Sequence, residues 1–460
     1  MHSPEESIAA LATPPGEGAL AVIRISGPQA LETLHALASS GGKAPRVRPR
    51  YCHHLFLRDR AGRELDEVLA VWMPGPKSYT GEDLVEISSH GGPATVKAIL
   101  NALYGLGIRP AHPGEFTYRA FLSGRLDLVQ AEAVADLVHS RSERARELAL
   151  HHLGGSLSRR LERMRSELLA LLRDLEAGID FSEEDIEFVS RPALRRAVKA
   201  LRREVEALLA GAEDGRLLRE GVQVVLAGEP NVGKSSLFNA LLEAERAIVT
   251  ESPGTTRDVI RESWVQQGLV FHLHDTAGLR EAVEEAERLG VERSESAVKG
   301  AGLVLWVMDG CRAPTAEERR RWAGLRPERD ILIVNKCDRP DFDAGRAEDL
   351  LPGGVRRLAV SAKRGDGIGE LRSAMVELAL SGRGQEDLEI EVAINRRQEA
   401  RLQALRLCLE DLSDESLGCM ESEVLARQLR DALAQLEELT GESISEQILE
   451  EIFARFCIGK

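Results

Sequence analysis

The sequence predicts a chain that combines mixed α/β with all-α structure: an α/β domain at the N-terminus, a discontinuous helical bundle, and a second α/β domain inserted into that bundle. Short apolar runs bounded by Gly and Pro fill the first part of the chain, as β-strands do. Long Leu/Ala/Arg/Glu-rich segments follow, with apolar residues three and four positions apart, and similar segments return near the C-terminus. Between the two helical stretches, strand-like and helix-like patterns alternate.

Length and composition agree with a soluble protein of several domains. The 460 residues suffice for roughly three domains, and 43% hydrophobic with 29% charged residues is ordinary globular usage. No apolar run reaches the ~18 residues of a membrane span, and the N-terminus lacks the pattern of a secretory signal. The six cysteines form no CxxC pair, as expected of reduced thiols. We therefore expect a cytoplasmic protein without membrane contact.

The net charge of -15 argues against broad, nonspecific binding to nucleic acid. It still permits a local basic patch that grips one RNA. Two arginine-rich helical segments are candidates, at residues 141–165 and 195–203. An arginine-rich helix face is, however, more often only solvated.

The N-terminal domain is expected to span residues 1–122. Residues 19–27 (ALAVIRISG) and 67–73 (EVLAVWM) read as strands, and residues 83–88 (DLVEIS) alternate so that Glu86 faces away from Val85 and Ile87. A helix is predicted after them, with glycine at its end.

The helical residues fall into two separate stretches. We predict one helical domain formed by residues 123–217 and 382–460, with a domain at residues 218–381 inserted between its halves. Two independent helical domains are the alternative. The segment from Leu128 to Leu153 is predicted to be one long amphipathic helix.

The strongest motif lies at residues 222–242, where an apolar strand runs into GEPNVGKS and then a helix. This is GxxxxGK[ST] in its strand–loop–helix setting. Backbone N–H groups and the helix N-terminus would surround phosphate, Lys234 would reach the β and γ phosphates, and the Ser235 hydroxyl would ligate Mg²⁺. The residues predicted to bind the nucleotide here are Asn231, Val232, Gly233, Lys234, Ser235 and Ser236.

A second motif identifies the base. The strand ILIVNKCD ends in Asn335, Lys336 and Asp338, and its carboxylate can accept hydrogen bonds from guanine N1–H and the 2-amino group. Adenine offers neither donor, so the site would reject ATP. The following VSAK contributes Ser361, Ala362 and Lys363, where a backbone amide would meet the guanine oxygen.

Two further segments complete a GTPase. PGTTRD supplies Thr256 for Mg²⁺, and HDTAGLR supplies Asp275 behind the metal and Gly278 beside the γ-phosphate. The glutamine that orients water in many GTPases is replaced by Leu279. Pattern alone leaves four acidic substitutes open: Glu281, Glu284, Glu285 and Glu287.

Beyond these generic motifs, the whole chain resembles the MnmE (TrmE) family of tRNA-modifying GTPases. The resemblance rests on residues 12–27, 78–93 and 112–137, on DTAGLREAVEEAERLG, and on the terminal FCIGK. It implies a folate-binding N-terminal domain, a discontinuous helical bundle and an inserted Ras-like P-loop GTPase domain.

The resemblance also implies an activity and its partners. Family members work as homodimers with a flavin-dependent protein, MnmG (GidA). Together they add a carboxymethylaminomethyl-type group to C5 of the tRNA wobble uridine. The carbon comes from a tetrahydrofolate derivative, 5-formyl- or 5,10-methylene-tetrahydrofolate, and K⁺ stimulates GTP hydrolysis. A ribosome-assembly type of GTPase switch without folate chemistry is the alternative, although this chain lacks a basic RNA-binding domain after the GTPase segment.

Site residues follow from matching positions in the family. Glu287 would position the attacking water. The K⁺ ligands would be Asn231, Thr250, Ser252 and Thr255. Further nucleotide contacts would be Thr250, Glu251, Ser252, Pro253, Gly254, Thr255, Thr256, Asp275, Thr276, Ala277 and Gly278.

The folate site would use Arg24, Glu86, Arg125 and Lys460. A pterin presents the same adjacent N–H and 2-amino donors as guanine, so a carboxylate at Glu86 suits it. Arg125 departs from the family, which often has lysine there. Cys457 would be a catalytic thiol close to the folate, but a free cysteine can equally be a small buried hydrophobe.

Overall fold

The computed structural model describes residues 6–38, 45–180, 190–243, 261–274, 301–381, 393–412 and 420–460. The chain divides into two compact units. The first comprises Met1–His139, Ala149–Glu206 and Ala400–Lys460, and the second comprises Ser140–Leu148 and Ala207–Glu399. No described helix is both long and apolar enough to cross a membrane.

The first unit contains a six-stranded sheet. Its strands are β1 (Ile8–Leu11), β2 (Gly18–Ser26), β3 (Cys52–Arg58), β4 (Glu64–Met73), β5 (Leu84–Gly91) and β6 (Arg109–Pro110). They lie in the order β3-β4-β5-β2-β1-β6. All neighbours are antiparallel except β1 and β6.

The two faces of this sheet differ. On one face Ile23, Ile25, Val85 and Ile87 are buried under two helices, α1 (Ala30–Leu37) and α2 (Pro93–Gly105). The alternate residues of the same strands lie on the opposite face, because successive side chains in a strand point to opposite sides. That face carries Arg24 and Glu86.

Helices make up the rest of the first unit. They are α3 (Glu115–Leu122), α4 (Leu128–His139), α6 (Ser156–Asp180), α13 (Ser422–Thr440) and α14 (Glu446–Phe453). Three more helices cross the division along the chain: α5 (Glu143–Leu153), α7 (Arg191–Ala210) and α12 (Arg396–Asp411). α6 packs along α13, so helices from the two separate stretches of sequence share one bundle.

The predicted single helix over Leu128–Leu153 is wrong, because α4 ends at His139 and α5 begins at Glu143. The Ser142 hydroxyl accepts a hydrogen bond from the Ala145 amide at 3.2 Å. A serine that satisfies a free amide in this way starts a new helix. The apolar periodicity continues across residues 140–142, so the sequence pattern does not show the break between the two helices.

The second unit holds another six-stranded sheet, in the order β12-β11-β10-β7-β9-β8. Its strands are β7 (Val222–Ala227), β8 (Arg261–Gln266), β9 (Leu269–His274), β10 (Leu303–Asp309), β11 (Asp330–Asn335) and β12 (Arg356–Val360). Only β8, at the edge, pairs antiparallel. The helices of this unit are α8 (Ala212–Glu220), α9 (Lys234–Glu243), α10 (Ala316–Trp322) and α11 (Ile368–Ala379), with a 3-10 helix at Ala344–Leu350.

The predicted fold class, two α/β parts combined with a helical bundle, is confirmed. In the second unit β7 and β11 are buried on both faces, as the runs VQVVLA and ILIVN suggest. A parallel sheet gathers the carboxyl ends of β7, β10 and β11 at one edge, where loops bind ligands.

Candidate functional site

The loop between β7 and α9 depends on two glycines. Gly228 and Gly233 have φ angles of +145° and +100°. A Cβ atom on Gly228 would lie 2.2 Å from the Val307 carbonyl oxygen, and one on Gly233 would lie 2.2 Å from Asn335 Nδ2. No other residue type fits either position, so the loop keeps the tight course that presents backbone amides to phosphate.

The side chains at the start of α9 face the same loop. The Lys234 ammonium donates to the carbonyl oxygens of Gly228 and Glu229 at 3.1 and 2.8 Å. Ser235 and Ser236 are exposed in the first turn of the helix. The loop thus combines a cation, a helix N-terminus and a free hydroxyl, which suits a polyphosphate with a divalent cation.

Asn335 joins three segments at the end of β11. Its Nδ2 donates to the Val232 carbonyl at 2.8 Å, and its Oδ1 accepts from the amides of Lys336 and Ala362 at 2.8 and 3.1 Å. The side chain is only 2% exposed. One buried amide therefore ties the phosphate loop to both base-recognition segments.

The Lys336 side chain contacts two neighbouring segments at the same edge of the sheet. Its ammonium donates to Asp309 Oδ2 at 2.5 Å and to the Asn231 carbonyl at 3.2 Å. Burial opposes ionisation of Asp309, but the bonds from Lys336 and the Cys311 amide hold the pKa of its carboxyl below its usual range. Lys336 is thus kept in place by a partner that is ionised at neutral pH.

Asp338 is half-buried and accepts a hydrogen bond from the Ser361 hydroxyl at 2.7 Å. That bond is the main reason why the pKa of Asp338 lies below its usual range. Its carboxylate is therefore ionised at neutral pH, as an acceptor for two N–H donors requires. Lys363 follows in the same segment.

The other predicted nucleotide and cation residues lie outside the described part of the chain. They are Thr250, Glu251, Ser252, Pro253, Gly254, Thr255, Thr256, Asp275, Thr276, Ala277, Gly278 and Glu287.

A second cluster lies on the open face of the sheet in the first unit. Arg24 on β2 sits directly opposite Glu86 on β5. Its Nε and one terminal nitrogen donate to Glu86 Oε1 at 2.9 and 2.6 Å, and its other terminal nitrogen donates to the Gly459 carbonyl at 3.1 Å. The bond from Arg24 to Gly459 joins residues that lie 435 positions apart in the sequence.

The last residues of the chain are bound to this cluster by their backbone. The Phe116 amide donates to the Lys460 carbonyl at 3.2 Å. Gly459 has a φ of +92°, and a Cβ atom there would lie 2.4 Å from the Leu11 carbonyl oxygen. The glycine of CIGK is thus required by close approach to another strand.

Two aromatic rings flank the Arg24 guanidinium. Its central carbon lies 5.1 Å from the Tyr79 ring centre and 5.6 Å from that of Phe116, within the range of a cation–π contact. Burial raises the pKa of Tyr79, while the Thr117 hydroxyl and the positive charges of Arg24 and Arg125 oppose the rise. Arg125 is therefore near enough to Tyr79 to act on it.

Lys460 is half-buried beside the same cluster. Burial, together with repulsion from Arg24, lowers the pKa of its ammonium, and Glu86 and Cys457 oppose that change. The structure thus brings Arg24, Glu86, Arg125 and Lys460 into one neighbourhood. Sequence reasoning missed Tyr79 and Phe116, because their role follows from a tertiary contact with Arg24 and not from a motif.

Cys457 is exposed, and its Sγ lies 3.8 Å from Nε2 of His139 at the end of α4. The other ring nitrogen of His139 lies 2.9 Å from the Ala135 carbonyl oxygen. If Nδ1 carries the proton for that bond, Nε2 is an acceptor that faces the thiol. Nothing in the sequence singled out His139, since its partner comes from the opposite end of the chain.

A buried ion network supports the segments that carry Tyr79 and Phe116. The Arg119 side chain is fully buried and pairs with Glu82 at 2.9 Å and Glu115 at 3.1 Å. Burial opposes ionisation of Glu115, but bonds from Arg109 and the His112 amide lower the pKa of its carboxyl. Every charge in this network has a partner, as burial demands.

Comparison with known proteins places the chain in a family. The profile described as the MnmE helical domain matches residues 128–457, and the one described as the GTP-binding protein TrmE N-terminus matches residues 7–125. The tRNA modification GTPase MnmE of Synechococcus sp. (strain JA-3-3Ab) is 42% identical over 457 residues, which cover 99% of this chain and 98% of that protein.

A second organism gives the same result. The tRNA modification GTPase MnmE of Aquifex aeolicus (strain VF5) is 40% identical over 459 residues, or 99% of this chain and 100% of that protein. Among solved structures, the G domain of the T. maritima FeoB iron transporter is 28% identical, covers 34% of this chain and 98% of its own, and gives a TM-score of 0.26. With both profiles matched and full-length relatives at this identity, the chain belongs to the MnmE (TrmE) family.

Proposed function

We propose that this protein hydrolyses GTP and uses the reaction in modifying tRNA. The observation that carries the proposal is the position of Asn335, which ties the phosphate loop to the Ala362 amide. Beside it, the ionised Asp338 can accept both donors of guanine. Adenine would leave that carboxylate unpaired, at a cost of about 1–3 kcal/mol or more.

The described residues fit a nucleotide with its metal. Lys234 and the backbone amides of the loop would hold the phosphates, and Ser235 would ligate Mg²⁺. The metal, when bound, would neutralise charge that develops on the phosphate oxygens. We further propose K⁺ as a second cation, held by Asn231, Thr250, Ser252 and Thr255, and Glu287 as the residue that positions water.

In the first unit, we propose that Arg24, Glu86, Arg125 and Lys460 bind a tetrahydrofolate derivative. Glu86 would accept from the pterin N–H and 2-amino group, as Asp338 does from guanine. The three basic groups suit the carboxylates of a folate tail. Cys457, beside them and 3.8 Å from His139 Nε2, is the proposed catalytic thiol.

The protein is proposed to act as a homodimer together with an MnmG-type flavoprotein. The open face of the first-unit sheet supports contact with a second copy, because Leu20, Phe56 and Leu69 are 68%, 44% and 48% exposed there. Their cross-strand pairing places them on the same face as Arg24 and Glu86. Large apolar side chains gathered on one face mark an interaction site.

Two measurements test the proposal. Mass spectrometry of tRNA wobble uridines, after deletion of the gene and complementation, should show loss and return of a carboxymethylaminomethyl-type modification. GTP turnover by the purified protein should be faster in K⁺ than in Na⁺. Unaltered uridines would overturn the role in tRNA modification, and equal rates would overturn the cation assignment.

Calorimetry with 5-formyl-tetrahydrofolate separates this function from that of a ribosome-assembly GTPase. The wild-type protein should bind the folate, whereas Cys457→Ser should still bind it and fail to restore uridine modification. A protein that hydrolyses GTP and binds no folate would be a GTPase switch without one-carbon chemistry.

A further inference from the structure

Helix α7 carries a row of cationic side chains on its outer face. Its buried positions are Leu194, Val198, Leu201, Val205 and Leu208, spaced four, three, four and three residues apart. Arg196, Lys199 and Arg203 are exposed between them. At about 5.4 Å per turn, these three charges project from one side of the helix over about two turns.

These cations differ from other arginines of the same helical bundle. Arg160 pairs with Glu204 at 2.8 Å, Arg165 with Glu442 at 2.7 Å, and Arg430 with Glu176 at 2.5 Å. Within the described residues, Arg196, Lys199, Arg202 and Arg203 have no hydrogen bond or ion pair. In the part of the chain that the structure describes, their charge is therefore not neutralised.

The net charge of α7 is also opposite in sign to that of the whole protein. The helix RPALRRAVKALRREVEALLA has six basic and two acidic residues, whereas the chain carries a net charge of -15. One of the two acids, Glu204, is already paired with Arg160. A concentrated positive surface on an acidic protein is the electrostatic footprint of a polyanion partner.

We propose that the α7 face, defined by Arg196, Lys199 and Arg203, binds the phosphate backbone of tRNA. The proposal rests on the proposed function, which supplies tRNA as the polyanion. Charges one turn apart can meet successive phosphates along one strand. The interleaved exposed positions are not aromatic, so the face would position the RNA without reading its bases.

Binding of fluorescently labelled tRNA to the full-length protein tests this, with affinity measured over a series of salt concentrations. The test variant is Arg196→Glu/Arg203→Glu. The matched control is Arg60→Glu/Lys97→Glu, which removes the same charge from exposed positions in the sheet part of the same unit. Both sites are exposed, and unchanged GTP turnover reports that each variant is folded.

Each phosphate contact contributes about 0.7–0.9 to the slope of log affinity against log salt concentration. The test variant should therefore reduce the steepness of that slope by about 1.4–1.8 and weaken binding by about 10-fold or more at low salt. The control should match the wild type. A test variant that binds like the control would overturn the proposal.

Further outcomes separate a failure of the α7 proposal from a failure of the proposed function. If the wild-type protein hydrolyses GTP and supports uridine modification but binds no tRNA, alone or with its flavoprotein partner, the α7 proposal fails while the proposed function stands. If the test variant keeps tRNA affinity and loses the flavoprotein instead, the face is a protein-docking surface and the proposal is wrong. Wobble uridines that stay unaltered when the gene is deleted would overturn the proposed function itself.

Discussion

The nucleotide site and the Arg24–Glu86 site present similar chemistry but lie on different structural elements. In each, a carboxylate is proposed to accept adjacent N–H donors from a planar ring. Asp338 lies where two neighbouring parallel strands end, within one unit. Glu86 instead lies mid-strand on an open sheet face and depends on the last residues of the chain.

The partners of the two carboxylates also differ. Asp338 accepts from a neutral hydroxyl, that of Ser361, and keeps its full charge for the ligand. Glu86 is already paired with the Arg24 guanidinium at 2.6 Å, so a ligand must share it with a cation. We therefore expect substitution of Asp338 to have the larger effect on binding, and the following experiments rank the two sites.

The largest effect is expected for Asp338→Asn. The amide oxygen can still accept from guanine N1–H, but the N–H₂ group would face the 2-amino group, so one hydrogen bond to a charged acceptor is lost and a donor faces a donor. We expect GTP affinity to fall by about 100-fold or more, measured by nucleotide titration. Xanthosine triphosphate carries an oxygen in place of the 2-amino group and should bind the variant better than GTP does.

Folate binding by Asp338→Asn should equal that of the wild type, and Glu370→Gln, an exposed carboxylate of α11, should leave GTP affinity unchanged. Retained GTP affinity in Asp338→Asn would mean that this carboxylate does not read the base.

The second effect is expected for Glu86→Gln. The amide oxygen can still accept from Arg24, while the charge that favours pterin donors is lost. A hydrogen bond to a charged group contributes about 1.5–3 kcal/mol, so 5-formyl-tetrahydrofolate should bind about 10- to 100-fold more weakly by calorimetry. Glu67→Gln, on the same sheet face, is the matched control. Equal folate affinity in the two variants would remove Glu86 from the site.

These two sites also differ in what their sequence reveals. Asn335, Lys336 and Asp338 follow an apolar strand, and the loop at Gly228 precedes a helix. The residues next to each motif therefore predict the strand or helix on which it lies. A parallel sheet then brings such loops to one edge. The described part of the nucleotide site was therefore predictable from local patterns alone.

The Arg24–Glu86 site could not be predicted from local sequence patterns. Alternation predicted that Glu86 leaves the buried face, but not that Arg24 lies opposite it, because strand pairing between distant segments is a tertiary property. Resemblance to a family supplied Arg24 and Lys460. No motif marks His139 or Tyr79, and only the folded structure places them beside Cys457 and Arg24.

A third experiment, Gly459→Ala, tests the dependence on the tail. The added Cβ would lie 2.4 Å from the Leu11 carbonyl oxygen, so the tail must shift and the bond from Arg24 to the Gly459 carbonyl is lost. We expect folate affinity to fall by about 10-fold, in line with 1–3 kcal/mol of backbone strain. GTP turnover should not change.

Ile458→Ala is the matched control for the tail, since Ile458 is 58% exposed. Removal of the last four residues should reproduce the Gly459→Ala effect or exceed it. A truncated protein with normal folate affinity would show that the tail only covers the site.

The smallest effect is expected for Asp309→Asn in the nucleotide site. The amide can still accept from Lys336, but the charged partner is gone. The pair is partly exposed, at 27% for Lys336 and 17% for Asp309, so solvent screening limits its contribution to about 0.5–1 kcal/mol. GTP should bind about 2- to 5-fold more weakly, and folate affinity should stay the same.

The pH dependence of this small effect follows from the Asp309 carboxyl. Its pKa is lower in the folded protein, so its contribution is present above the unfolded pKa and is lost only as the pH falls through the folded value. The ratio of wild-type to variant GTP affinity should therefore be the same at about pH 8 and about pH 5. A ratio that already disappears at the lower pH would mean that Lys336 does not hold Asp309 ionised, and the nucleotide site would then rest on Asn335 and Asp338 without this support.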